Sequence, residues 1–124
     1  MPNRSPQRTK LYSDLIVTAD YHAITYWCDV LSIHHDEHTP ANTRMVIAEH
    51  DPETENETFV VDLDIITKGF NALDKESREG LIGNSYINNF FKAVRAGDWD
   101  DVDYDATIAD LIVQQGLFGS VVYG

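Results

Sequence analysis

The sequence predicts an α+β domain: an N-terminal helix, a three-stranded antiparallel meander, three further helices packed on one face of the sheet, and a short terminal strand. Three observations carry this. Residues 24–34, 43–49 and 57–62 are rich in β-branched and aromatic side chains, which suit a pleated surface. The two connections between them, HDEHTPAN and HDPETEN, each place a proline near Asn or Asp, which is turn chemistry. Beyond residue 62 the apolar period changes to that of helices.

The elements follow in order. Residues 1–9 hold two prolines, Arg4 and Arg8 and no apolar pattern, and read as a mobile basic tail ahead of a single domain over 10–124. From Lys10 to His22, Leu11, Leu15, Ile16 and Ala19 recur at helical spacing, although DLIVT alone would also suit a strand. Adjacent Tyr26 and Trp27, if in the first strand, would face opposite sides of the sheet. Asp62 is placed to cap a helix with Ile65, Ile66, Phe70 and Leu73 inward. Asn84 or Ser85 caps the next, with Tyr86, Ile87, Phe90, Phe91 and Val94 inward and Gly97 as its stop. Asp105 or Thr107 starts a third, with Ile108, Leu111 and Ile112 inward and an end at Gly116. The stretch GSVVY then suits a short strand. Strands followed by helices define the α+β class.

Composition bounds the function. The 124 residues hold 21 acidic and nine basic side chains, a net charge of −12. Phosphates would be repelled, which argues against direct nucleic-acid binding and suits a basic protein partner or simple solubility. Salt-adapted or GC-rich hosts produce the same bias without functional meaning. A lone cysteine, Cys28, rules out an internal disulfide and a cysteine-built zinc site. No apolar run approaches the ~20 residues of a membrane helix, and the basic start leads into no signal-type segment. A cytoplasmic protein is expected, with no membrane partner and no cofactor.

The run IHHDEH, residues 33–38, raises the question of metal. His34, His35 and His38 are ligand types, with Asp36 and Glu37 beside them and His50 or His22 to complete a set. Zinc needs three or four ligands converging from different directions. His34 and His38 share a face only in a helix, whereas Thr39-Pro40 favours extended backbone, and in a strand His35 points away from His34. A polar hairpin tip is the simpler reading. A pH-sensing cluster is the third, because free imidazoles titrate near 6.5. The familiar nucleotide-binding and hydrolase motifs are absent. Ser85 reads as a cap rather than a nucleophile, and Cys28 as a buried, inert thiol rather than a reactive one.

Two acidic stretches remain. In EHDPETENE, Glu49, Asp51, Glu53, Glu55 and Glu57 fall at every second position. Extended backbone would space those charges by roughly 7 Å along one edge. In DWDDVDYDATIAD, Asp98, Asp100, Asp101, Asp103 and Asp105 precede Asp110. Together they suggest a phosphate-like surface; each loop alone is explained by solubility.

The ending ADLIVQQGLFGSVVYG, 109–124, is the most specific stretch. Gly116 and Gly119 would let the chain reverse, while Leu117 and Phe118 plug the core. With Tyr26-Trp27, this LFGxVVYG-like ending resembles a group of small uncharacterised proteins found in actinobacterial phages and their hosts. The resemblance implies a phage or mobile-element setting and supplies no catalytic residues; IHHDEH is not part of it. Three functions are therefore expected in turn. The first is a non-enzymatic acidic protein binding a basic host protein, in its sharpest form a DNA mimic acting on a nucleic-acid-binding or defence protein. The second is a metal-binding module or metal-dependent enzyme using the histidines. The third is a small assembly protein that self-associates through an exposed aromatic and its terminal strand.

Overall fold

The structure, a computed structural model, describes residues 4–51, 53, 57–97 and 105–123, leaving aside the side chain of His22. Its elements run α1 (Pro6–Thr18), β1 (Cys28–His34), β2 (Arg44–Glu49), β3 (Phe59–Val61), α2 (Leu63–Arg78), α3 (Ser85–Arg95) and α4 (Ala106–Phe118). The strands form an antiparallel sheet in the order β1-β2-β3, the expected meander. The fold is α+β, with the N-terminal helix first and helices against the sheet.

α1 starts earlier than the basic tail allowed. Ser5 accepts the Arg8 amide at 3.1 Å as an N-cap, and Pro6 occupies the first turn, where its missing N–H costs nothing. Arg4 donates to Asp64 at 2.9 Å, and the Arg8 guanidinium bonds the Tyr12 hydroxyl and lies over the Phe70 ring. Residues 4–9 are therefore tied down by the body of the protein. The expected face, Leu11, Leu15, Ile16 and Ala19, is buried. The helix then widens into a π turn, Ala19–Ala23.

Residues 24–27 make a turn, with the Trp27 and Cys28 amides both donating to Ile24 O. β1 consequently begins at Cys28, and Tyr26 and Trp27 diverge because of the turn, not by strand alternation. A bulge between Val30 and Ser32 shifts the β1–β2 register by one residue. Met45, Ile47 and Val61 bury one face of the sheet.

The caps fall where the sequence put them. Asp62 accepts the Ile65 amide, Asn84 the Ile87 amide, and Asp105 the amides of Thr107 and Ile108. α3 packs its Phe90 and Phe91 against Phe70 of α2, with ring centroids 5.0–6.0 Å apart; Tyr86, expected inward, is exposed. α4 is buried nearly all round. It runs past Gly116 to Phe118, and Gly119, at φ 73°, ends it in the left-handed conformation. Gly116 has a different task. A Cβ there would stand 2.3 Å from Ile65 O, and one on Gly69 would stand 2.0 Å from Ile112 O. The two glycines let α2 and α4 cross backbone to backbone. Residues 121–123 form no strand; another device holds them.

Candidate functional site

That device joins the two ends of the chain's most specific pattern. Trp27 is buried, stacked on Tyr123 at 5.0 Å with planes 7° apart and met edge-on by Phe118 at 5.7 Å. Its Nε1 donates to Asp110 Oδ1 at 2.9 Å, while the Tyr26 hydroxyl donates to Oδ2 of the same carboxylate at 2.6 Å. Gln114, one turn further along α4, donates from Nε2 to Asp110 Oδ1 at 2.8 Å and to Tyr123 O at 3.1 Å. Its Oε1 accepts the amides of Val122 and Tyr123 at 2.9 and 2.7 Å. The fully buried side-chain amide thus does for residues 122–123 what a neighbouring strand would do. The Tyr123 hydroxyl closes the ring of contacts on Glu49.

The Asp110 carboxylate is buried, and its three donors are all uncharged. Their dipoles replace the water it has lost. Burial, then the bond to Asp110, pushes the Tyr26 phenol up to about 12. The bond to Glu49, then burial, lifts Tyr123 to about 12 as well. Burial, helped by Asp29, Asp110 and Glu49, raises the Cys28 thiol to about 12, so it stays protonated and unreactive. These groups fasten the fold; none is poised as a nucleophile at neutral pH.

Charge is distributed unevenly around this network. The nine Lys and Arg lie at 4, 8, 10, 44, 68, 75, 78, 92 and 95: before or within α1, at the start of β2, and on α2 and α3. Four are engaged with acids of α2 or its C-cap: Arg4 with Asp64, Lys75 with Glu79, and Arg78 and Arg95 with Asp74. The opposite end, where β1 begins and β2 finishes, gathers Asp29, Glu49 and Asp51. The His50 amide bonds Trp27 O and its ring meets Asp29 at 3.1 Å, and Asp51 acts with Glu49 on the Tyr123 phenol.

The acidic residues singled out in the sequence separate accordingly. Asp51, Glu53 and Glu57 are exposed, with Asp51 accepting the Glu53 amide in a turn. Glu49 is half-buried and bonded to Tyr123, and Asp105 caps α4, so both serve the fold. Glu55, Asp98, Asp100, Asp101 and Asp103 lie outside the described residues. The histidines do not converge. His34, His35 and His38 are exposed along a strand end and hairpin tip, where Asp36 accepts the His38 amide, which holds its carboxyl below the usual range. His50 is on Asp29 at the other end of the sheet. No group of three or more His, Cys, Asp or Glu that could hold a metal occurs among the described residues. Sequence reasoning missed Asp110 and Gln114 as a pair; their spacing of four on a mostly apolar helix was the available signal.

Fold and site define a small α+β domain: a three-stranded meander backed by helices on one face and closed by a polar clasp on its own C-terminal segment. Compared with known protein families, curated proteins and solved structures, the chain shows no match. No helix among the described residues is long and apolar enough to cross a membrane.

Proposed function

We propose that the protein is a non-enzymatic acidic interaction protein that binds a basic protein through the end of its sheet bearing Asp51, Glu53 and Glu57. The observation that carries this reading is the segregation of charge. All nine Lys and Arg occupy other segments, and none falls in 45–67 or 96–124. Carboxylates gathered in a segment that has no Lys or Arg present a negative field that steers and orients a positive partner. The protonated state of Cys28, Tyr26 and Tyr123 also favours binding over catalysis. The likeness of the ending and of Tyr26-Trp27 to phage proteins favours a host protein as partner. In its sharpest form that partner binds nucleic acid, and the carboxylates take the place of phosphates in its groove.

The test is capture from an actinobacterial host lysate at low and high salt, with the wild-type chain and the Asp51→Asn, Glu53→Gln, Glu57→Gln triple variant. Glu49 is left intact because it anchors Tyr123. Salt-sensitive capture of a protein with a basic groove, lost in the triple variant, is the expected result. Capture indifferent to both salt and substitution removes the proposal.

A further inference from the structure

β1 is an edge strand seven residues long, and its outer side has no strand partner among the described residues. Such an edge is a template for pairing, and proteins usually blunt it with Lys, Pro or a covering element. The segment Cys28–His34 contains neither Lys nor Pro. It exposes Leu31 at 57% and Ile33 at 38% instead.

We infer that two copies of the chain join edge to edge through β1, antiparallel, about a two-fold axis between Leu31 and Ser32. The bulge, otherwise a blunting device, selects this register. Across β2, Asp29 lies opposite Ala48 and His34 opposite Arg44, while Val30 lies opposite Ile47 and Ile33 opposite Met45. Met45 and Ile47 alternate along β2 with Arg44, Val46 and Ala48, so the extra residue at the bulge puts Asp29 and His34 together on the face opposite Val30 and Ile33. Self-pairing about the bulge then sets Asp29 of each copy against His34 of its partner, and Val30 against Ile33, with faces matched in both pairs. Without the extra residue, the same pairing would oppose side chains from opposite faces. The bulges face one another, so neither strand has an unmatched residue.

Charge complementarity supports a second copy as the occupant. The Asp29 end of the sheet gathers Glu49 and Asp51, with His50 on Asp29, while the His34 end carries Arg44 and His35 beside Asp36 and Glu37. Antiparallel pairing brings Asp29 of each copy toward the end that carries His34 and Arg44 of the other and keeps the two clusters of Asp29, Glu49 and Asp51 apart. An isologous contact of this kind closes on itself and does not propagate. The product is a six-stranded sheet with β1 at its centre. The surface is distinct from the terminal segment expected to self-associate, which is occupied by Gln114.

Sedimentation equilibrium of the full chain tests the inference. The wild type should dimerise as concentration rises, and Leu31→Pro should be monomeric. Because that variant also disturbs β1 itself, the charge pair is the second arm. Asp29→Lys, which removes the carboxylate facing His34, and His34→Asp, which sets two carboxylates face to face, should each weaken the dimer by about tenfold. The double variant should recover wild-type affinity. A chain that stays monomeric at its highest soluble concentration overturns the inference, as does a dimer insensitive to either single charge change or a double variant no tighter than the singles.

Discussion

Asp110 and Gln114, one turn apart on α4, share a 2.8 Å hydrogen bond and between them hold both ends of a long-range clasp: Asp110 takes Tyr26 and Trp27, and Gln114 takes the backbone of Val122 and Tyr123. The fold therefore depends on polar groups in its interior as well as on its apolar core.

Removing the amide should be costly. Gln114→Ala strands the Val122 and Tyr123 amides and takes one donor from a buried carboxylate. A loss of about 2–4 kcal/mol is expected, since each buried polar group left unsatisfied costs ~1–3 kcal/mol. Chemical denaturation measures it, and a change in Trp27 fluorescence should report release of the stacked Tyr123 ring. Gln114→Glu, which puts a second carboxylate beside Asp110, should destabilise at neutral pH and recover on acidification.

The helix crossing has no room for a methyl group. Gly69→Ala and Gly116→Ala should each cost at least about 2–3 kcal/mol, because the obstacles are backbone oxygens that cannot rotate away. Thermal melts of both singles and the double should show non-additive losses, because the two sites share one interface. Gly80, which has open space around it, gives the contrast: its φ of 74° makes Ala unfavourable there through backbone strain alone.

Alkaline pH should loosen the clasp. Both Tyr26 and Tyr123 have their pKa raised in the fold to about 12, from an ordinary value near 10. Their protonated forms are favoured by folding, so their stabilisation is complete below about pH 10 and disappears as pH rises through about 12. Tyrosinate absorbance should show a late-titrating fraction that shrinks in Tyr26→Phe and Tyr123→Phe. Titration of every tyrosine in one ordinary step, with the fold intact, would contradict the geometry.

Asp105 separates structural from surface acidity. Asp105→Ala should lower stability by about 1 kcal/mol through loss of the α4 cap, while Asp105→Asn, which still accepts from the Thr107 and Ile108 amides, should cost less. Urea denaturation distinguishes them. If Asp105 acted only as surface charge, the two variants would be equally stable.

What the sequence determined by itself was local. Periodicity placed α2, α3 and α4, turn chemistry divided the three strands, and Asp62, Asn84 and Asp105 were readable as caps because a cap is a bond between near neighbours. Exposed histidines at a hairpin tip also followed from local backbone preference around Thr39-Pro40. The tertiary structure decided which faces met. Tyr26 and Trp27 reach Asp110 across more than eighty residues, Gly116 proved a point of helix contact and not a stop, and Gln114 replaced the terminal strand. Periodicity shows that a face will be buried but not what it will be buried against, and for a polar side chain or a glycine the partner is the whole meaning of the position.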